Sequence, residues 1–217
     1  MTVIALIDGP LSPDLACCDG VLEPAGAAFV DSPAGVHAAS VAATILSVTT
    51  SARFISIPVF TGRLSATAAN LAEALTLAAG TPADIIHCSL GLARNDADVA
   101  RAIEALDGRI VLASAPARGG PVWPAAHASV IGVQGDARCR LGEWSCLALQ
   151  SADYGACPYG PAGSDAAGAS IAAANLTGIL AARSMRTPAQ ARALLDQQAN
   201  YRGREHKSAA NADADLI

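Results

Sequence analysis

Short apolar runs that stop at a turn-forming or small polar residue limit most strongly how this chain can fold. Five such runs recur, at residues 3–7, 53–59, 84–88, 109–113 and 129–133. Each is rich in β-branched residues and has the length of a strand that is buried on both faces. The sequence therefore predicts five buried parallel strands, whose carboxyl ends place polar residues along one edge of a sheet.

Helical patterns separate these runs. The segments with helical spacing of apolar residues are 35–47, 66–79, 96–106 and 168–182. Thr187 and Pro188 are typical of a helix cap and a first helical position, and they predict a further helix that ends near Ala199. Because strands and helices alternate, we expect an α/β fold with a doubly wound, mainly parallel sheet and helices on both faces. Residues 137–163 have no clear period and predict loops or a short hairpin.

Length and charge bear on domain organisation and on partners. The chain has 217 residues, with no internal repeat and no linker, so we expect one domain over residues 1–200 and a polar tail over residues 201–217. The formal net charge is −5, and the Lys and Arg residues are scattered. Phosphate binding needs clustered positive charge, so we expect no nucleic-acid partner.

The amino terminus and the cysteines bear on the compartment. The first ten residues lack the basic region and the cleavage site of a secretory signal. Two uncharged stretches, 36–52 and 166–182, contain polar side chains and many alanines, so we expect buried helices and no membrane partner. The six cysteines form no CxxC pair, which favours reduced thiols in the cytoplasm. A disulfide between Cys139 and either Cys146 or Cys157 remains open.

Three polar residues stand where a doubly wound sheet binds its ligands. Asp8 ends the first strand, and His37 and Ser170 are each expected to begin a buried helix. Taken together they supply a carboxylate that orients an imidazole, an imidazole that accepts a proton and a hydroxyl that attacks a carbonyl. Taken singly, each has a structural explanation, since Asp is common in turns, Ser caps helices and a lone His packs in many cores.

The order of these three residues and the sequences around them resemble the subtilisin family of serine proteases. HAASVAATI, which begins at His37, is similar to the family segment HGTHVAGTI, and GASIAAANLTGIL around Ser170 is similar to GTSMAAPHVAGVL. Between them, DIIHCSLG resembles VINMSLG, and WPAAHASVIGVQG resembles YPAxxPxVIAVGA. The resemblance extends from residue 3 to about residue 182, most of the chain.

The resemblance implies a subtilisin-like serine endopeptidase with Asp8, His37 and Ser170 as its catalytic triad. Separately, we expect no cofactor and no metal. The resemblance also implies that a peptide substrate pairs in extended form beside one strand end, and that the end of another strand lines the opposite side. The first of these segments consists of Ser89, Leu90 and Gly91, and the second of Ser114, Ala115 and Pro116.

The oxyanion hole is where the sequence departs most from the family. The backbone N–H of Ser170 is one expected donor. The second donor of the family is an Asn side chain, and Ala117 stands at that position. Arg118 is the nearest cationic side chain that can replace it. Among the other polar residues, we expect His87 to be structural and His127 and His206 to lie at the surface, and we predict no calcium site from the sparse acidic residues of the tail.

The physiological role follows from size and compartment. A cytoplasmic peptidase without an inhibitory pro-segment must avoid general proteolysis, so we expect a narrow substrate. The compact form resembles the leader-removing proteases of quinohemoprotein amine dehydrogenase maturation, and this favours a maturation protease that removes a leader from a precursor peptide. One alternative is a catalytically impaired pseudoprotease that serves as a peptide-binding scaffold, because the oxyanion Asn is missing. A nucleotide-binding Rossmann-like domain is a weaker alternative, since the first strand leads into neither GxGxxG nor a P-loop.

Overall fold

A nine-stranded sheet forms the centre of the molecule, in the strand order β2-β3-β1-β4-β5-β6-β8-β7-β9. The computed structural model describes residues 1–23, 30–60 and 62–205. The strands are β1 (Thr2–Asp8), β2 (Cys18–Val21), β3 (Ala52–Pro58), β4 (Ile85–Cys88), β5 (Ile110–Ser114), β6 (Ile131–Gly135), β7 (Trp144–Cys146), β8 (Tyr154–Ala156) and β9 (Tyr201–Arg202). All neighbouring strands are parallel except β7 and β8, which are antiparallel.

Helices cover both faces of this sheet. They are α1 (Pro33–Val48), α2 (Ala68–Ala79), α3 (Ala97–Glu104), α4 (Ala169–Ala182) and α5 (Pro188–Gln197). Alternate residues of β1 point to opposite faces, as the pleat of a strand requires. Ile4 and Leu6 pack with α1, α4 and α5, whereas Ala5 and Ile7 pack with α2 and α3. The doubly wound α/β fold expected from the sequence is confirmed.

Helix α1 begins earlier than the sequence analysis predicts. The Ser32 side chain accepts a hydrogen bond from the backbone N–H of Gly35, and Pro33 occupies the first turn. A Ser cap followed by Pro is a strong helix start, because Pro lacks the N–H that this position leaves unpaired. The prediction that His37 begins the helix is therefore wrong, since His37 lies one turn inside α1.

Close contact between α1 and α4 fixes the relative position of the two helices. A Cβ atom added at Gly178 would lie 2.7 Å from Cβ of Val48 and 3.0 Å from the carbonyl oxygen of Ile45. Any larger side chain at position 178 would push the helices apart. Since α1 carries His37 and α4 carries Ser170, this contact also sets the separation of the two expected catalytic residues.

Four strands were not among the five predicted from the sequence. Strands β7 and β8 form the hairpin that was one alternative for residues 137–163. Strand β2 is short and pairs with β3 through an irregular register. Strand β9 pairs with β7 and extends the sheet past residue 200, into the predicted tail. Residues 206–217, including His206 and the acidic residues of the tail, lie outside the described residues, so the domain boundary remains a prediction.

The part of the chain that the structure describes contains no disulfide and no helix suited to cross a membrane. None of the six cysteines is paired in the structure. Within residues 1–23, 30–60 and 62–205, no helix combines the length and the apolar character that crossing a membrane requires. Over the same residues, no three His, Cys, Asp or Glu side chains group in a way that would hold a metal ion.

Candidate active site

Asp8 lies at the carboxyl end of β1, between β3 and β4, and is fully buried. Its Oδ1 atom accepts hydrogen bonds from the backbone N–H of Gly9 at 2.6 Å and from Nδ1 of His37 at 2.8 Å. Glycine is required at position 9, because an added Cβ would lie 2.1 Å from the carbonyl oxygen of Ala34. This close approach brings the start of α1 to the end of β1, and His37 therefore reaches Asp8.

The second carboxylate oxygen of Asp8, Oδ2, is buried and has no hydrogen-bond partner among the described residues. An ionised carboxylate in such a place depends strongly on the few partners it has, because burial removes its stabilisation by water. The bond to His37 is consequently a main source of compensation for Asp8. The dependence is mutual, since Asp8 also determines how the imidazole titrates.

His37 is partly open to solvent, with 23% of its side chain exposed. Burial acts to lower its pKa, but the hydrogen bond and the negative charge of Asp8 outweigh that effect, so the pKa of His37 is raised above its usual value of 6.5. With Nδ1 directed at Asp8, the neutral ring keeps its proton on Nδ1 and leaves Nε2 as a proton acceptor. The arrangement suits a general base.

Ser170 lies in the first turn of α4. Among the five helices described, α4 alone has a cap residue, Gly168, that provides no side-chain hydrogen bond. The backbone N–H of Ser170 has no partner in the described part of the chain, and it is available to a negatively charged group. The Ser170 hydroxyl donates to the carbonyl oxygen of Ser89 at 3.4 Å, and its hydrogen bonds within the described residues do not include one to His37.

One pocket joins five of the residues singled out from the sequence. It has a volume of about 400 Å³, and His37, Ser170, Ser89, Leu90 and Gly91 line it. The backbone groups of Leu90 and Gly91 make no hydrogen bonds to other described residues, although β4, which precedes them, is paired on both sides. An unpaired stretch at the end of a paired strand is the kind of edge to which an extended peptide adds.

The predicted opposite wall does not line this pocket. Ser114 and Ala115 are buried, and neither they nor Pro116 contribute to the lining. Ala117 and Arg118 line a second pocket, beyond the ends of β5 and β6. The structure thus brings the first predicted substrate segment to Ser170, and it places the β5 segment and the expected replacement for the oxyanion Asn in different surroundings.

Side chains that follow β3 form the wall that the sequence analysis missed. Phe60, Leu64, Ser65 and Ala66 line the pocket with Leu92. Strand β3 is the neighbour of β1, so its carboxyl end lies beside Asp8. The signal was present in the sequence, because residues 53–59 were recognised as a strand, but the order of strands in the sheet was needed to use it.

The hydrogen bonds of His87 are the second feature that the sequence analysis missed. The His87 side chain is fully buried, as expected, but it is hydrogen-bonded beside the pocket and does not merely fill space. Nδ1 lies 2.8 Å from Oγ1 of Thr177, and Nε2 lies 2.8 Å from Oγ of Ser89. Burial, with a smaller contribution from the nearby His37, lowers the pKa of His87 to about 3. The ring is neutral over the whole range in which His37 titrates.

Comparison with solved structures identifies the architecture. The protease domain of PatA superposes with a TM-score of 0.69 at 21% identity, over 90% of this chain and 86% of that one. A cold adapted subtilisin-like serine proteinase superposes with a TM-score of 0.64 at 18% identity, over 91% and 82% of the two chains. This chain has the subtilisin-like fold.

A further subtilisin-like match is the epidermin leader peptide processing serine protease EpiP from Staphylococcus aureus. It has a TM-score of 0.68 at 18% identity, over 90% of this chain and 69% of that one. No protein-family model matches the sequence, and neither does any curated protein. The fold expected from the resemblance is confirmed by these matches.

Proposed function

We propose that the protein is a serine endopeptidase in which Ser170 is the nucleophile and His37 the general base. Asp8 orients the imidazole of His37 and stabilises its protonated form. The observation that carries the proposal is the 2.8 Å bond between a fully buried Asp8 and Nδ1 of His37, in a pocket that Ser170 also lines. A buried carboxylate paired with an imidazole beside a hydroxyl at a helix start is the arrangement that acyl transfer needs.

The mechanism begins with binding of an extended peptide along the unpaired backbone of Leu90 and Gly91. His37 Nε2 takes the proton of Ser170 while Oγ attacks the scissile carbonyl, and the same proton then goes to the leaving amine. Water hydrolyses the acyl-enzyme by the reverse sequence of transfers. The Ser170 hydroxyl must turn from Ser89 towards His37 first, and this costs little because a 3.4 Å hydrogen bond is weak.

Stabilisation of the oxyanion falls largely on the amino terminus of α4. The unpaired N–H of Ser170 and the positive end of the helix dipole support that role. Ala117 contributes no side-chain donor, and Arg118 lies at another pocket. An enzyme with one donor in place of two should turn over slowly, which suits a protease that acts on one precursor and not on proteins in general.

For the substrate, we propose a precursor peptide, bound in extended form, from which a leader is removed. The name of EpiP describes leader peptide processing, and the shared subtilisin-like fold supports the same class of substrate here. Apolar side chains from Phe60, Leu64, Leu90 and Leu92 line the pocket beside Ser170. An apolar residue of the precursor, near the cleaved bond, fits that lining. A cytoplasmic setting without nucleic-acid or membrane partners remains part of this proposal.

The test is covalent labelling with a fluorophosphonate probe, which reacts with a serine activated by a general base. Mass spectrometry of the digested protein should locate the label on Ser170, and Ser170→Ala should abolish it. Ser164→Ala is a matched control, because Ser164 is exposed in the loop before α4 and lies outside the pocket. A folded wild-type protein that takes up no label would contradict the proposal and favour the pseudoprotease scaffold.

A further inference from the structure

A hydrogen-bonded network connects two turns of α4 through strand β4. Thr177 follows Ser170 by seven residues, so both lie on the same face of α4. In this network the side chain of His87 lies between those of Thr177 and Ser89, and each of its ring nitrogens makes a hydrogen bond of 2.8 Å to one of the two hydroxyl groups. The network returns to the helix where the Ser89 carbonyl accepts the hydroxyl of Ser170.

The side chains of this network are buried. His87 and Thr177 are fully buried, and Ser89 is 5% exposed. A neutral imidazole has one donor and one acceptor nitrogen, on opposite sides of a planar ring, and each hydroxyl can match either role. The low pKa of His87 keeps it neutral, so it holds the two hydroxyl groups at a fixed separation without adding a second positive charge beside His37.

Ser89 needs such support because it lies where the sheet ends. Its backbone N–H still bonds to the carbonyl oxygen of Ile7, at 3.2 Å, but the backbone groups of the next two residues have no partners among the described residues. The side-chain bond to His87 is therefore the last internal constraint before the chain reaches the open pocket.

Building on the proposed function, we propose that His87 is a positioning residue, which anchors Ser89 to α4 and so fixes the position of the substrate-binding segment from Ser89 to Gly91 relative to Ser170. His87 does not touch the substrate. It acts on the attack of Ser170 and not on substrate affinity, because small errors in the placement of a reacting group relative to its nucleophile reduce rate much more than binding.

The experiment compares two buried threonines. Thr177→Val removes the hydroxyl that holds His87 and keeps the shape of the side chain. Thr44→Val is the matched control, since Thr44 is also fully buried in a helix, and its Oγ1 bonds only to the carbonyl oxygen of Ser40 at 2.8 Å. The rate constant for fluorophosphonate labelling of Ser170 should fall about tenfold in Thr177→Val. It should stay at the wild-type value in Thr44→Val, and Thr177→Ser should restore it.

Three further measurements separate positioning from general loss of stability. On a peptide ester, Thr177→Val should lower kcat and leave KM unchanged. His87→Asn has a side chain too short to bridge both hydroxyls, so it should slow labelling as much as Thr177→Val does. The double variant should label no more slowly than either single variant, because both changes break the same link.

The outcomes are distinct. If wild type is labelled and Thr177→Val is labelled equally fast, the role of His87 is overturned while the proposed function stands. Equal slowing by Thr177→Val and Thr44→Val also overturns it, because a general effect of helix destabilisation would then explain both rates. If the wild-type protein takes no label, the proposed function fails, and the role assigned to His87 fails with it.

Discussion

The two halves of the carboxyl edge of the sheet differ in how firmly they are built. On the side of β1 and β4, Asp8, His37, Ser89 and Ser170 are joined by hydrogen bonds or line one pocket. On the side of β5 and β6, the loop after residue 114 leads to an exposed Ala117, which lines a separate pocket. We call the first half the base side and the second the β5 side.

In the proposed mechanism, proton transfer and the second oxyanion donor of the subtilisin family depend on different parts of the structure. The residues of the base side belong to strands and helices whose positions are fixed by packing in the core. The contact between Gly178 and Val48 is an example. On the β5 side, the expected donor belongs to a loop, and loops accept substitutions that packed elements do not. The geometry of the proposed triad is therefore compatible with loss of the second oxyanion donor.

The largest expected effect is on the base side. Ser170→Ala should reduce turnover of a peptide ester by about 10⁶-fold, the magnitude that loss of the nucleophile has in subtilisin itself. The melting temperature should hardly change, since Ser170 is only half buried and makes one long hydrogen bond. Ser114→Ala, the same change on the β5 side, should have a far smaller effect on turnover. Equal losses in the two variants would remove the distinction between the sides.

The next effect concerns the charge of Asp8. Asp8→Asn should lower turnover by about 10⁴-fold, because the amide no longer holds the productive tautomer of His37. In the wild type, kcat/KM should fall as the pH drops through a pKa of His37 that lies above 6.5. Without the negative charge, burial lowers that pKa, so the acid limb of the pH profile should move to lower pH. An acid limb that stays in place would show that another group controls it.

On the β5 side, the sharpest variant adds the missing donor. Ala117→Asn should raise turnover of a peptide ester about tenfold, less than the 10²–10³ that a preorganised oxyanion donor supplies, because residue 117 does not line the pocket at Ser170. KM should change little, since the interaction develops in the transition state. Arg118→Ala should leave turnover unaltered. A loss of turnover in Arg118→Ala would instead make Arg118 the substitute donor and join the β5 side to the active site.

These two sides also differ in how far the sequence could predict them. Asp8, His37 and Ser170 were placed at one edge because local patterns marked a strand end and two helices. The start of α1 was placed too late, although Ser32 and Pro33 give the same signal as Thr187 and Pro188, which was used for α5. Local signals of this kind are sufficient when they are read at every helix.

Features that depend on tertiary contacts could not be predicted in the same way. His87 was correctly expected to be buried, but its bonds to Thr177 and Ser89 require α4 to lie across β4. Phe60 and Leu64 line the pocket only because β3 lies beside β1 in the sheet, although β2 stands between them in the sequence. His87 and Thr177 are 90 positions apart in the sequence, so their contact leaves no local pattern from which it could be predicted.

The last comparison concerns stability and not turnover, because acid should destabilise the two sides in different pH ranges. On the base side, the pKa of His87 is about 3 in the folded protein and near 6.5 when unfolded, so its contribution to stability is complete above pH 6.5 and is lost as the pH falls towards 3. On the β5 side, burial acts to raise the pKa of Asp136, but hydrogen bonds from Arg138 and Ser145 outweigh it and lower the pKa below 3.8. The contribution of Asp136 is present above pH 3.8 and is lost only as the pH falls through that lower value.

Melting temperatures measured between pH 3 and pH 7 should separate these two contributions. His87→Asn should flatten the decline between pH 6.5 and pH 4, whereas Ser145→Ala should alter the curve only below about pH 4. His37 does not interfere, because its raised pKa gives a contribution that is complete below pH 6.5 and is lost only as the pH rises through the folded pKa. A wild-type melting temperature that is constant from pH 6.5 to pH 4 would mean that acid opens His87 to water without unfolding the protein. The link from Thr177 to Ser89 would then be looser than its 2.8 Å hydrogen bonds imply.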